Sequence, residues 1–358
     1  MITERLPALG SVGADAPRTR RWFVRALARP SLPALVGLAA VLAVFLPLAP
    51  GLHTTDGLAV VLDTAALIGI GGVAVGLLLI AGHFDLSIGV VAVASALGTA
   101  LLAGPAGWGI WPALLASFGG ALVIGLVNGL LVVNTGLPSF LVTLATFLVL
   151  QGTARAGGQA VSTFSRVTGL EESAGWASAA AVFGSTLRLD DGSFRISLPW
   201  FLAVTAVATW ALWRTPFGNA VFASGGARRA ARQLGVPVAR TTVILFCLTA
   251  TAGWLIGTLG LVRLAGVQVS GVQIGSTGLT SAIDFIVVAV IGGCLLTGGY
   301  GSAIGAAIGA LVYAVARHGI LMAGWDPLWF EALLGVLLLT ALLTNGVVRR
   351  RLKAAPRS

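Results

Sequence analysis

The chain has 358 residues, of which 57% are hydrophobic and only 9% charged, against about 45–50% and about 25% in ordinary soluble domains. These proportions exclude a soluble fold. The hydrophobic residues number about 204, which is what ten membrane helices of roughly 20 residues require. The composition therefore predicts an all-α, polytopic membrane protein with no room for a separate globular domain. We assign the net charge of +10 to cytoplasmic segments, by the positive-inside rule, and not to nucleic-acid binding.

Hydropathy divides the chain into ten apolar runs, which predict ten transmembrane helices. They lie at about 33–50, 58–81, 86–104, 109–133, 138–156, 197–213, 242–262, 281–296, 302–322 and 327–347.

The basic residues predict the orientation of these helices. Six of the 22 Lys and Arg residues precede the first run, five lie in the segment 214–241, and five follow the last run. With ten spans, all three segments fall on one side, which the positive-inside rule makes cytoplasmic. We therefore expect a cytoplasmic N-terminal tail at 1–32, a transmembrane domain at 33–347 with an external loop at 157–196, and a cytoplasmic C-terminal tail at 348–358.

Several classes of site lack the residues that they would need. The single lysine, Lys353, is followed by Ala354, so the chain has no GxxxxGK[ST] phosphate-binding loop and is not expected to hydrolyse ATP. Cys247 and Cys294 lack a CxxC pattern, and the three histidines are scattered. We therefore expect no catalytic residues, no metal and no cofactor, and a role in transport.

The segment from Gly82 to Gly89 interrupts the apolar pattern and brings an acid, Asp85, to the cytoplasmic boundary. Asp85 suits a helix cap and equally a transport pathway, and the two roles do not exclude each other. Asp63 and Asp284 are expected near the outer ends of their spans. Arg317 and the adjacent His318 are expected deeper, and Arg317 is expected to face the bundle interior or a wet cavity.

Two further segments carry glycines at informative spacing. Gly301, Gly305 and Gly309 recur every four residues and predict a helix face for close packing. The segment DLSIG at 85–89 resembles GSAIG at 301–305 and hints at an internal duplication. Between the pair Gly225–Gly226 and Gly235, alanines and arginines predict a short cytoplasmic helix that ends at a glycine and docks on a partner.

Four ordered blocks together resemble the permease subunits of sugar-importing ABC transporters of the ribose, xylose and galactose type. The resemblance covers about 58–345. The matching residues are Gly82, Asp85, Leu86, Ser87 and Gly89; Asn128, Gly129, Pro138, Phe140, Thr143, Leu144 and Thr146; Gly225, Gly226, Ala230, Ala231 and Gly235; and Gly292, Gly293, Gly298, Gly299, Gly301 and Ser302. His83 and Phe84 depart from the small residue and isoleucine that are usual before the aspartate.

The resemblance implies a multi-pass protein of the bacterial inner membrane that imports a sugar. Two permease copies, identical or different, would form the path, two ABC ATPase subunits would dock on the 225–235 segment, and an extracytoplasmic sugar-binding protein would deliver the substrate. Asp85, Ser87, Gly89, Asn128, Pro138, Thr143 and Thr146 are then candidates for the pathway. The alternatives are an ion-coupled secondary transporter that uses Asp85 or Asp284, and an ABC permease for a nucleoside or a branched-chain amino acid.

Overall fold

The structure is a computed structural model that describes residues 31–161, 166–167, 169–265, 267–268 and 271–354. Nearly all of the predicted N-terminal tail, 1–32, lies outside these ranges, as do the last four residues of the predicted C-terminal tail.

Thirteen α-helices account for most of the described residues. They are α1 (Leu32–Leu48), α2 (Thr55–Ile80), α3 (Ile88–Ala103), α4 (Ile110–Thr135), α5 (Ser139–Val161), α6 (Trp176–Phe183), α7 (Ser197–Arg214), α8 (Pro216–Gly226), α9 (Arg228–Gln233), α10 (Val238–Leu264), α11 (Gly271–Ile291), α12 (Ala303–Met322) and α13 (Trp329–Ala354). Each of the ten predicted runs is covered by one of the helices other than α6, α8 and α9.

Six of these helices are long and apolar enough to cross a bilayer: α2, α4, α5, α10, α12 and α13. Helices α1 and α3 are apolar but shorter, with 17 and 16 residues. The protein is therefore an all-α, polytopic membrane protein.

The bundle is built around α2 and α12. Two thirds of the most apolar stretch of each is buried, against 17% in α5 and 11% in α13. Helix α2 packs against α7, α10, α11 and α12. Helix α12 meets α11 through glycines, since a Cβ on Gly305 or Gly309 would overlap the carbonyl oxygen of Gly292 or Val288. These two glycines therefore lie where two helix backbones touch.

Short strands and a small helix lie between α5 and α7 and after α10. Strand β1 (Arg166–Val167) pairs antiparallel with β4 (Val267–Gln268), and β2 (Thr186–Leu189) forms a hairpin with β3 (Gly192–Arg195). The hairpin is held against α2 by Asp63. The Asp63 carboxylate bonds Arg263 Nη1 at 2.7 Å, lies 3.4 Å from Arg195 Nε, and accepts from the Ser197 hydroxyl at 2.7 Å.

The linkers α2–α3 and α11–α12 lie side by side, because the N–H of Gly299 donates to the carbonyl of Ile80 at 2.7 Å. The two similar sequences, 85–89 and 301–305, therefore open helices at neighbouring positions in the bundle. Ser302 caps α12 by accepting from the N–H of Gly305 at 2.9 Å.

Candidate translocation and coupling site

The Asp85 side chain lies at the centre of a buried polar cluster. Helix α2 ends at Ile80, and Gly82, with a φ of +80°, reverses the chain, a conformation that glycine adopts without strain. The chain then runs inward and α3 starts at Ile88. Asp85 Oδ1 accepts from the Ser87 N–H at 2.8 Å and from the Ser87 hydroxyl at 2.6 Å. Asp85 therefore shapes the entry to α3, as a cap does.

Three helices bring further partners to this loop. Asn128 of α4 donates from Nδ2 to the Ser87 hydroxyl at 3.0 Å, and its Oδ1 accepts from Thr146 of α5 at 2.5 Å. Thr249 of α10 donates to Asp85 Oδ2 at 2.5 Å. Asp85, Ser87, Asn128 and Thr249 are each at most 2% exposed. We call these four residues and Thr146 the polar cluster.

Helix α5 also binds the backbone of the same loop. The hydroxyl of Ser139 accepts from the Phe84 N–H at 2.9 Å, and that of Thr143 accepts from the Leu86 N–H at 3.1 Å. Both hydroxyls satisfy buried amide groups that would otherwise destabilise a loop without regular structure. The loop is thus fixed to α5 by its backbone and to α4 and α10 by its side chains.

The candidate residues of the first two blocks do not all join the cluster. Asp85, Ser87, Asn128 and Thr146 belong to it, and Thr143 supports it from the side. Gly89 is buried in the first turn of α3. Pro138 is exposed and immediately precedes α5, and its carbonyl accepts from the N–H of Leu141 at 3.0 Å.

His83 lies in the same loop, between the end of α2 and the start of α3. It is buried, its Nε2 is 3.4 Å from the Thr242 hydroxyl, and its ring centroid is 5.9 Å from that of Phe246. Burial, together with the positive charge of Arg228, lowers the pKa of His83 to about 4. His83 is therefore neutral at physiological pH.

Glycines from three separate blocks meet beside this loop. A Cβ on Gly225 would overlap the Ile80 carbonyl and lie 2.6 Å from the Gly299 nitrogen. A Cβ on Gly298 would lie 3.0 Å from the Cα atoms of both Gly225 and Gly82. We call this contact of Gly82, Gly225, Gly298 and Gly299 the glycine junction. Through this junction the predicted docking segment contacts the α2–α3 linker and the α11–α12 linker.

The predicted docking segment forms two helices. Gly225 and Gly226 are the last residues of α8, the chain turns at Ala227, and α9 covers Arg228–Gln233. The predicted glycine stop is present, since Gly235 follows with a φ of +80°. The two alanines differ, because Ala230 is exposed whereas Ala231 is buried against its own chain. Leu234 is 84% exposed.

The prediction for Asp284 is wrong, because α11 begins at Gly271 and not near residue 281. Asp284 lies well inside the helix, where Oδ2 accepts from the Tyr313 hydroxyl at 2.9 Å. Arg317 donates to the same hydroxyl at 3.1 Å and lies 5.6 Å from the ring centroid of Phe330. Arg317 is exposed in the single chain, so of the two predicted environments it does not occupy the bundle interior, and the wet cavity stays a prediction.

Comparison with known proteins decides the family. The profile of a family described as "Branched-chain amino acid transport system / permease component" matches residues 57–342. The chain belongs to this family of permease components. The match spans α2 to α12 and most of α13, so it includes the polar cluster and the glycine junction.

The relatives with known roles include three sugar import permeases. The fructose import permease protein FrcC of Rhizobium meliloti is 29% identical over 81% of this chain and 78% of its own length. The galactose/methyl galactoside import permease protein MglC of Escherichia coli is 29% identical over 64% and 65%. The ribose import permease protein RbsC of Escherichia coli is 26% identical over 91% and 96%. No solved structure matches the chain.

Sequence reasoning missed Thr249. The chain has many threonines in apolar helices, and most donate to a carbonyl of their own helix, as Thr241 and Thr251 do. The sequence contains no signal that separates Thr249 from these, because its partner, Asp85, is 164 positions away.

Proposed function

We propose that this chain is the membrane-spanning permease subunit of an ATP-driven importer, and that its substrate is a sugar delivered by an extracytoplasmic binding protein. The convergence of all four sequence blocks, at one buried polar cluster and one glycine junction beside the basic segment, carries this proposal. The relatives named as fructose, galactose and ribose import permeases favour a sugar over the amino acid in the family description. ATP hydrolysis then belongs to a separate ATPase subunit.

The polar cluster also argues against the ion-coupled alternative. Both carboxylate oxygens of Asp85 already accept hydrogen bonds from Ser87 and Thr249. An ion-coupled carrier needs a buried carboxylate that is free to bind or release its ion. Asp85 is instead engaged by the chain's own donors.

The proposed topology has ten spans and cytoplasmic ends in a bacterial inner membrane. A helix at each of the ten apolar runs, six of them long and apolar enough to cross a bilayer, supports this count. The clustering of sixteen of the 22 basic residues in the two tails and in 214–241 supports the orientation. Helices α8 and α9 then lie on the cytoplasmic side, and the β2–β3 hairpin lies outside.

The proposed docking surface for the ATPase is the outer face of α9 and the turn after it, formed by Arg229, Ala230 and Leu234. Leu234 is 84% exposed and offers an apolar contact to a partner. The glycine junction connects its segment to the α2–α3 and α11–α12 linkers, so movement of the partner would reach both linkers. Ala231 is excluded from this surface because it packs inward.

A second permease copy is proposed to cover the face formed by α5, α11 and α13. Helices α5 and α13 are the least buried of the six long apolar helices, and both pack on α11. Glu331 is on α13, and Arg317 of the neighbouring helix α12 lies against Phe330 of α13; both charged residues are exposed in the single chain. Charged groups in lipid are costly, so a second copy or a wet path between two copies is the more stable environment.

Reconstitution tests the proposed function. The chain would be co-expressed with a candidate ATPase and binding protein from the same organism, and placed in liposomes with labelled ribose, galactose, fructose or xylose. We expect uptake that requires both partners and internal ATP. Uptake driven by an ion gradient without the ATPase, or uptake of leucine in place of any sugar, would contradict the proposal.

Docking is tested by a matched pair of substitutions. Leu234→Glu should abolish co-purification of the ATPase and leave the membrane abundance of the permease unchanged, because Leu234 is exposed. Ala231→Glu should lower the abundance itself, because it places an unpaired charge in a packed interior at a cost of several kcal/mol. Normal ATPase association in Leu234→Glu would remove this segment from the interface.

A further inference from the structure

Thr249 differs from the other threonines of α10 in what its hydroxyl reaches. Its Oγ1 is 2.5 Å from Asp85 Oδ2 and 3.0 Å from the carbonyl of Phe246. A hydroxyl has one hydrogen to donate, and the carboxyl oxygen of Asp85 is the closer of the two acceptors. Thr249 therefore gives α10 its direct bond to the polar cluster.

Helix α10 is also the continuation of the docking segment. Val236 donates to the carbonyl of Ala231 at 3.0 Å, which fixes the turn after α9, and α10 begins at Val238. Thr249 lies three turns further, about 16 Å along the helix. Because an α-helix without proline or a bulge is stiff over this length, displacement of α9 moves the Thr249 hydroxyl.

From Asp85 the bonds continue into the other side of the bundle. The Ser87 hydroxyl donates to Asp85 and accepts from Asn128 of α4. The Asn128 amide oxygen in turn accepts from Thr146 of α5. Every hydroxyl and amide in this series bonds to the next, so a shift at one end changes the geometry at the other. Helix α5 is one of the three helices proposed to face the second copy.

We infer that Thr249 is a positioning residue for transport, which acts through its hydrogen bond to Asp85 and links movement of the ATPase-facing helix α9 to α4 and α5. This inference rests on the proposed function. It names the hydrogen bonds that would transmit movement from the ATPase contact to the transport path, and the residue whose substitution would interrupt this transmission.

The test uses the complete complex of permease, ATPase and binding protein in liposomes. Thr249→Val keeps the shape and removes the hydroxyl. We expect sugar uptake, and the stimulation of ATP hydrolysis by sugar-loaded binding protein, to fall about tenfold, because a buried hydrogen bond to the Asp85 carboxyl oxygen is lost. Basal ATP hydrolysis should be unchanged. Thr249→Ser, which restores a hydroxyl, should restore both activities.

Thr251→Val is the matched control. Thr251 is on the same helix, and its hydroxyl bonds only to the carbonyl of Cys247, one turn back, at 2.8 Å. We expect its uptake, stimulated ATP hydrolysis and abundance to equal those of the wild type. A loss in Thr251→Val as large as that in Thr249→Val would overturn the inference, because any threonine of α10 would then do.

Uptake is divided by the amount of assembled complex. A variant that folds less well is thereby distinguished from one that assembles normally but transports more slowly. If Thr249→Val transports at the wild-type rate per complex, the hydroxyl serves packing only and the inference is wrong. If Thr249→Ser fails like Thr249→Val, the hydrogen bond is not the cause and the inference is also wrong. A wild-type complex without sugar-stimulated ATP hydrolysis would instead overturn the proposed function, and this inference with it.

Discussion

Asn128 connects two helices through both ends of its amide. Its Nδ2 donates to Ser87 and its Oδ1 accepts from Thr146, so the geometry fixes which end is oxygen. Because Asn128 is 1% exposed, water cannot replace either bond. The amide therefore acts as a spacer of defined length between the Asp85 loop and α5.

Asn128→Leu should destabilise the protein, because it removes the hydrogen bonds of Asn128 to Ser87 and Thr146. Each lost bond costs about 0.5–1.5 kcal/mol, since both hydroxyls keep a second partner. The measurement is thermal unfolding in detergent. Asn134→Leu is the control, since Asn134 is on the same helix but exposed and should unfold at the wild-type temperature. Equal unfolding temperatures for the two variants would contradict a buried network at Asn128.

The residues of the cluster show how far sequence reasoning reaches at this scale. Asp85, Ser87, Asn128 and Thr146 stand in motifs, so their importance was predicted, but motifs do not contain distances. The motif alone does not separate a cap from a pathway residue at Asp85. In the structure, one carboxyl oxygen accepts from Ser87 at the entry to α3, and the other accepts from Thr249 of α10.

At the scale of helices, the glycine spacing of α12 has a direct structural meaning. Gly305 and Gly309 are four residues apart and therefore lie on one face. Neither residue has a side chain to separate α12 from α11. The carbonyl oxygens of Gly292 and Val288 occupy the space that their Cβ atoms would need. Close backbone approach of this kind stabilises membrane helices through dispersion contacts.

Gly305→Leu should therefore lower the abundance of folded protein and its unfolding temperature, since overpacking of a filled interface costs about 1–3 kcal/mol or more. Gly119→Leu on α4 is the control, because nothing lies within 4 Å of a Cβ at Gly119. Size-exclusion profiles and thermal unfolding of the two variants provide the comparison. A Gly305→Leu protein as stable as Gly119→Leu would show that the two helices do not touch there.

Hydropathy located the helices better than it located their ends. Each of the ten apolar runs coincides with a helix, and six of these helices are long and apolar enough to cross a bilayer. Helix α11 begins ten residues earlier than its predicted start at 281, where Gly271–Thr280 is too polar to register as a span. That error moved Asp284 from a predicted interfacial position to the interior of a helix.

At the scale of the whole molecule, the positive-inside rule makes a sharp prediction. In a protein with Cys247 and Cys294 replaced, Arg229→Cys should resist an impermeant maleimide in intact cells and react after the cells are opened. Arg188→Cys, on the β2–β3 hairpin, should react in intact cells. Both residues are exposed, so access to the side chain is not limiting. Labelling of position 229 in intact cells would exclude ten spans with cytoplasmic ends.

The arrangement of two copies gives the last prediction, because a single chain leaves α5 only 17% buried over its apolar stretch. Val149 on α5 and Val207 on α7 are equally exposed, at 63%, but α7 packs on α2, α8 and α12, whereas α5 and α13 both pack on α11. In the Cys-free protein, Val149→Cys should form a dimer with a short bifunctional maleimide, whereas Val207→Cys should stay monomeric, since its neighbours are lipid chains. The experiment uses protein that is expressed and purified alone, without any second permease. A cross-link then reports contact between two copies of this chain. Cross-linking through Val207 but not Val149 would place the second copy on the opposite side of the bundle, and would leave Arg317 and Glu331 facing lipid.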